Sequence, residues 1–472
     1  MVATLNSEVS EQVERVSDRG EPTTRLHPRR LGLSTPARLF WLFLALYLMT
    51  WGGHYTSGDG LRKVQWAKQI VSGGPYWLDT MTGAPPKYGI GHSLVAAPGM
   101  FISSVLQSRL GLHTESAFYT LLFVINGALM MYLIGRYLCS LYSSSRVWWA
   151  SLLIGLATSW WPYTKLDFTE PLVLTTFFAA FLLLRENKPW TGFLVAASLV
   201  LLRTDTVVLI ALLVAWQAFR TSWRPALTRA TLCLLPAIVL SGAINYLRFG
   251  TLRDSGYAGE SFTNPLLIGL YGMLFSAGKS VFLFSPPLIL GILGWKKFRS
   301  RITEDAWLFL GVFVAEVMVY AKWWDWSGDD CWGIRFVLPG VMLMTIPCAE
   351  ILERRILAIG VLSIGLAVQL PALLLNGLDY LYVSKKIVDM ERHRQGVEGW
   401  NRVDLDDIRF NPRYNQVAGT YELLRIRLSG PSAELISEEQ QSRTGTPLAQ
   451  TLKDLPNSQG CALDLIWCHL KR

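Results

Sequence analysis

Charged residues are scarce, at 17% of 472 positions, where soluble domains carry about 25%. A chain that is 51% hydrophobic cannot cover a water-facing surface, which excludes an ordinary soluble enzyme. Cysteine is sparse too, and the six present show no metal-ligand spacing. Cys139, Cys233 and Cys348 fall in or beside apolar runs, as small packing residues do. Cys461 and Cys468 sit in a polar tail and could pair only if that tail is extracytoplasmic. No internal repeat is visible, which argues against transporter folds built from duplicated halves. A nucleotide-binding loop is missing as well: Leu274-Phe275-Ser276-Ala277-Gly278-Lys279-Ser280 lacks the first glycine of the Walker spacing. No cleavable signal peptide is expected. The first apolar stretch begins near Arg38, behind Arg25, Arg29 and Arg30, and reads as a signal anchor with its N-terminus in the cytoplasm. Residues 1–37 are polar and mixed in charge, a disordered cytoplasmic tail.

What is abundant is apolar sequence. Runs at 39–49, 121–134 and 356–375 need only a polar residue or two at their ends to reach the roughly 20 residues that span a hydrocarbon core. The chain therefore reads as all-α and polytopic, with about eleven transmembrane helices, near 38–53, 116–139, 147–163, 169–185, 190–203, 205–220, 228–248, 280–296, 304–323, 335–350 and 355–376. The stretch 88–106, interrupted by Gly89, Gly91, Pro98 and Gly99, is assigned instead to an outer-face amphipathic or re-entrant helix. That choice puts Arg136/Arg146, Arg185/Lys188, Arg220/Arg224/Arg229, Lys296/Lys297/Arg299/Arg301 and Arg354/Arg355 on one side. The net charge of +9 is thus a positive-inside distribution and not a nucleic-acid patch.

The opposite, outer side then holds 54–115, 164–168, 203–205, 249–279, 324–334 and the tail 377–472, expected to be extracytoplasmic and at most a small lid. These segments carry most of the carboxylates near membrane depth, where ionisable groups are costly and usually face a polar cavity. Aromatic residues gather there also, partly because Trp and Tyr favour interfaces. In the first loop, Ser57-Gly58-Asp59-Gly60 precedes Leu61, Val64, Ala67 and Ile70 at helical spacing, an interfacial amphipathic helix with a carboxylate at its N-terminal end. Asp59 there could simply cap the helix or, as an acid near membrane depth, face a polar cavity. Outer cations are few. Arg335 stands at the mouth of a span, Arg203 precedes Asp205 and could simply pair with it, Arg253 and Lys279 flank the 249–279 loop, and Lys87 lies in the first loop. Trp324, Asp325, Trp326 and Asp329 form an aromatic and acidic patch of the kind that binds sugars.

An acid after the first span, a surface helix, the Tyr88-Gly89-Ile90-Gly91-His92 entry to a second one, then a span and a short basic turn resemble the C-type glycosyltransferase (GT-C) superfamily over roughly 38–376. That superfamily includes the polyprenyl-phosphate-sugar-dependent protein mannosyltransferases, the lipid A aminoarabinose transferases and the oligosaccharyltransferase catalytic subunits. The resemblance implies transfer of a sugar, with inversion, from a polyprenyl-phosphate donor to a glycan, lipid or protein acceptor at the outer face of the inner (plasma) membrane. It makes the Asp59 carboxylate the catalytic base, whose pKa desolvation would raise toward the working pH, and Asp167 or Glu170 a second polar or metal-positioning acid for a divalent cation (Mg or Mn). It makes Arg335 the preferred phosphate contact, since arginine suits bidentate contact, with Arg203, Lys279 and Arg253 behind it, and Tyr88 and His92 contacts to sugar or acceptor. Neither Asp167 nor Glu170 lies in an Asp-x-Asp pair. A lipid-linked-sugar flippase or a polysaccharide polymerase or ligase is the competing expectation.

Overall fold

The computed structural model describes residues 33–74, 87–252, 256–257, 259–328, 330–353, 355–394, 408–429 and 463–469. Residues from Thr35 onward form one unit, and the first 34 another that lies almost wholly outside the described residues. Among the described residues every regular element is helical.

Helix α1 (Thr35–Met49) buries Leu39, Phe43 and Tyr47, four residues apart on one face. That face lies against α4 (Glu115–Cys139). A Cβ on Gly135 of α4 would stand 2.7 Å from Leu39 Cδ1, so a small residue is what lets the helices approach, as is common where lipid offers no hydrophobic drive to associate. Two helices intervene: α2 (Gly58–Ser72) and α3 (Ile90–Leu110), packed on each other.

Among the described residues four helices are long and apolar enough to cross a membrane: α3, α4, α10 (Trp223–Phe249) and α16 (Arg355–Leu374). On α10, Leu232, Leu235, Ile238, Val239 and Leu240 are exposed, an apolar surface suited to lipid and not to water. The protein is a multi-pass membrane protein. By length and composition α3 joins the four, although its sequence was assigned to the outer surface. Other expected spans form shorter helices: α5 (Ser144–Leu156), α7 (Glu170–Arg185), α8 (Pro189–Leu202), α9 (Val207–Arg220), α13 (Pro287–Arg301), α14 (Thr303–Ala321) and α15 (Leu338–Thr345), with α6 (Trp160–Tyr163), α11 (Leu266–Phe275) and α12 (Val281–Phe284) between them in the chain. The 14 residues of α8 rise only about 21 Å, short of a bilayer core near 30 Å.

Three of the basic clusters that the sequence put on one side are engaged in ion pairs at one end of the bundle. Arg136 pairs with Glu186, Arg185 Nε lies 3.0 Å from Asp305, Arg146 reaches Glu353 at 2.7 Å and Arg301 reaches Glu350 at 2.6 Å. The segments assigned to the other side converge at the opposite end, around a cavity.

The tail packs back on these converging segments. Arg409 pairs with Asp325, the Gly278 amide donates to Arg409 O at 3.0 Å, and Gln416 Nε2 donates to Cys331 O at 3.2 Å. Farther on, Asp464 is buried against Lys165 (2.8 Å) and His54 (2.5 Å), while the Ile466 amide donates to Trp51 O.

Candidate active site

The cavity has a volume of about 660 Å³. Its walls come from the starts of α2, α3 and α7, the turn after α8, the end of α10, the residues after α14 and the residues before α15.

Ser57 caps α2 with extended backbone and accepts a hydrogen bond from the Gly60 amide at 2.9 Å. Asp59 therefore sits in the first turn, where a negative charge is favoured. Its Oδ1 accepts from Tyr88 OH at 2.5 Å, and its Oδ2 accepts from Arg335 Nη1 at 3.0 Å. Desolvation, the largest single influence, pushes the Asp59 pKa up. Lys63, Arg335 and the Tyr88 hydrogen bond together outweigh it and hold the carboxyl well below the usual carboxylate range. The sequence argument expected the reverse, because it weighed burial without the two cations.

The loop holding Asp59 is anchored by Asp167. This carboxylate is fully buried and accepts from Thr56 Oγ1 at 2.7 Å and Ser57 Oγ at 2.6 Å. Burial pushes its pKa up against these hydrogen bonds. A Cβ on Gly60 would fall 1.9 Å from Asp167 Oδ2, so only glycine admits this approach.

Three cationic groups on the cavity wall are engaged by acids. Arg203 gives Nε and Nη2 to Asp205 at 3.0 and 2.6 Å and Nη1 to Glu170, and Tyr320 OH adds a 2.5 Å bond to Asp205. Lys87 pairs with Glu260 at 2.6 Å, which also accepts from Trp324 Nε1 at 3.1 Å. Arg335 holds Asp59 and lies over the Phe168 ring at 4.5 Å. Tyr257, Phe262, Trp323 and Trp324 supply an aromatic wall.

In fold the chain is similar to solved structures of ArnT from Cupriavidus metallidurans. The apo structure aligns at 13% identity and a TM-score of 0.46, covering 89% of this chain and 83% of that one. The structure bound to undecaprenyl phosphate aligns at 14% and 0.47, covering 93% and 87%. No protein-family model and no curated protein matches the chain.

Of the residues singled out in the sequence, Asp59, Tyr88, Glu170, Arg203, Trp324, Asp325 and Arg335 line the cavity. Four do not. Asp167 serves the loop behind it. Lys279 is buried with Nζ donating to Cys331 O at 2.9 Å, because the turn that carries it points into the protein. His92 is fully buried, with Nδ1 at 2.9 Å from Thr169 Oγ1 and Nε2 at 2.9 Å from Tyr119 OH, so it ties α3 to α7. Trp326 is fully buried above Gly272, with Arg409 over its ring at 5.5 Å. Arg253 and Asp329 lie outside the described residues.

The donor set does not fit a divalent cation. Asp167 is engaged by hydroxyls and Glu170 by Arg203, and no three His, Cys, Asp or Glu groups gather as a metal would need among the described residues.

Several cavity residues, among them Lys63, Arg248 and Tyr320, escaped the sequence argument. Lys63 stands one helical turn after Asp59, on the same face of α2, and is 3% exposed. The Asp59-x-x-x-Lys63 spacing was the available signal for Lys63.

Proposed function

We propose that the protein is an integral-membrane glycosyltransferase that moves a sugar from a polyprenyl-phosphate donor to an acceptor hydroxyl, with Asp59 as base. The observation that carries this reading is an ionised carboxylate flanked by two cations at the mouth of a helical bundle, in a cavity that also has an aromatic wall and the apolar side chains of Val200, Leu201 and Ile244. An acidic base, positive charge for a leaving phosphate, ring faces for a sugar and an apolar approach for a lipid are the four needs of that reaction.

The acceptor hydroxyl would lie against the free edge of Asp59 and attack the anomeric carbon from the face opposite the phosphate. The new C–O bond forms as the carbon–phosphate oxygen bond breaks, its electron pair goes to the phosphate, and the hydroxyl proton goes to Asp59. The configuration inverts. A fixed cation where phosphate charge builds stabilises the transition state without reorganisation. A carboxylate held as low as Asp59 is ionised but weakly basic. Arrival of the phosphate draws Arg335 away from it and raises its basicity toward what general-base catalysis requires. The cavity end of the bundle would face away from the cytoplasm, in the inner membrane, with the N-terminus inside and the tail outside.

The test is transfer from a labelled polyprenyl-phosphate sugar in membranes bearing wild-type chain or Asp59→Asn at equal expression. Transfer by the wild type and its loss by about 10²- to 10⁴-fold in the variant is expected. Movement of the lipid-linked sugar across the bilayer without transfer would make the protein a flippase.

A further inference from the structure

We propose that Lys63, together with the second terminal nitrogen of Arg335, is the seat of an anionic phosphate group. This deepens the glycosyltransferase reading and rests on it. Among the described residues lining the cavity, the ammonium of Lys63 makes no hydrogen bond and no ion pair; its one close neighbour of note is the Tyr88 ring, 4.9 Å from Nζ to centroid. An ammonium on a 3% exposed side chain that keeps no partner is costly, and buried charges are normally paired. Burial pushes its pKa down, with Asp59 and Glu170 acting against that and Arg335 adding to it. A second cation thus stands close to the first, and one carboxylate between them is shared.

The other cations are taken, Arg248 with Nη1 on Tyr88 O at 2.8 Å and Nη2 on Asn245 Oδ1 at 2.6 Å. Arg203 has Nε and both Nη groups on Asp205 and Glu170, Lys87 is held by Glu260, and Lys279 points away to Cys331 O. Arg335 commits Nη1 to Asp59, its Nε lies 3.8 Å from Glu170, and no hydrogen bond engages Nη2. Two unengaged donor groups therefore flank Asp59, and both border the cavity. A ligand with a single tetrahedral anion fits them, because it accepts from an ammonium and a guanidinium at once. The i, i+4 spacing on α2 sets Asp59 about 5–6 Å from Lys63 at the Cβ atoms. That separation suits a leaving phosphate on one side of a sugar carbon and an attacking hydroxyl on the other. The bound anion also weakens the hold of both cations on Asp59, so the base becomes stronger only when the donor is present.

The experiment measures binding of unglycosylated polyprenyl phosphate to the purified full chain in nanodiscs, with neutral polyprenol and inorganic phosphate as competitors. Wild type, Lys63→Met and Lys63→Arg are compared, and melting temperature is recorded for each. Polyprenyl phosphate should bind the wild type and displace poorly with polyprenol. Lys63→Met should weaken binding about tenfold to a hundredfold, the loss of one charge-assisted hydrogen bond. Lys63→Arg should restore most of it, and the melting temperature of Lys63→Met should stay within a few degrees of the wild type, since the removed charge is itself buried and Arg335 still holds Asp59. Unchanged affinity in Lys63→Met overturns the assignment and leaves the transferase reading standing. Equal binding of neutral polyprenol, with the same loss in Lys63→Met, overturns the anion role. Binding of inorganic phosphate in place of the lipid, dependent on Lys63, overturns the lipid source. No binding of polyprenyl phosphate by a folded wild type overturns the transferase reading and this seat together.

Discussion

Gly60 gives the sharpest steric test of how the base is held. A methyl group there would lie 1.9 Å from Asp167 Oδ2, 2.1 Å from Cγ and 2.7 Å from Oδ1. Ordinary contact begins near 3.4 Å, so Gly60→Ala forces a displacement of about 1.5 Å on one partner or the other. Asp167 cannot swing clear, because Thr56 and Ser57 hold Oδ1 and the Thr56 amide adds a 3.3 Å bond to Oδ2. The start of α2 must therefore move, and Asp59 with it. Overpacking of this kind costs about 1–3 kcal/mol of stability, while a 1 Å misplacement of a reacting group costs about 10²-fold in rate. The expected outcome of Gly60→Ala is a folded protein melting a few degrees lower, with kcat for transfer from a labelled polyprenyl-phosphate sugar down about a hundredfold. Adding Asp167→Ala removes the clash. The double variant should then be no worse than Asp167→Ala alone, a coupling expected only between touching residues. Wild-type kcat in Gly60→Ala would refute the argument that this contact positions the base.

Other expectations follow from the same contacts. Asp59 is held well below the usual carboxylate range, so it stays ionised as pH falls. The acid limb of kcat/KM should lie below about pH 4, and that of kcat, measured with donor bound, should lie higher; coincident limbs in the pH–rate profiles would contradict donor-dependent basicity. Asp464→Asn leaves Lys165 buried without its counter-charge and should lower unfolding stability by about 3–5 kcal/mol in denaturant titration. In the wild type, Asp464 has a depressed pKa and His54 a raised one. The Asp464 contribution is present above about pH 4 and lost on acidification, while that of His54 is full below about pH 6.5 and fades as pH rises through its raised value; a stability curve flat from pH 5 to 9 would count against the pairing. Arg409→Met strands Asp325 in a nearly closed site and should cost about 3 kcal/mol and raise KM for the donor, read by melting and steady-state kinetics.

Much of this architecture was legible in order along the chain. Apolar runs separated by one-sided basic clusters define which turns share an end of the bundle, and those turns do meet at one cavity. Asp59 and Arg335 were named from their places in the chain and Tyr88 through the resemblance, and the structure brings Tyr88 and Arg335 into direct contact with Asp59. What could not be seen was direction. Lys279, His92 and Trp326 sit in the expected segments, but each turns into the protein, because the surfaces that receive them (Cys331, Thr169 with Tyr119, Gly272) are distant in sequence. Asp167 looks like a second reactive acid until Thr56 and Ser57 close over it. Electrostatics was hidden for the same reason. The environment of Asp59 depends on Arg335, 276 residues away, so a rule based on burial alone predicts the wrong direction. The part played by 408–429 and 463–469 in bracing the cavity loops was also hidden, since nothing in a polar tail reveals where it docks.

The most direct measurement is a density map of the full chain in nanodiscs with a polyprenyl-phosphate sugar bound. The account predicts phosphate density beside Arg335 and Lys63, the sugar between it and Asp59 against the aromatic wall, and the lipid leaving along Val200, Leu201 and Ile244. Density for the sugar phosphate in another groove, with this cavity filled only by solvent, would contradict it.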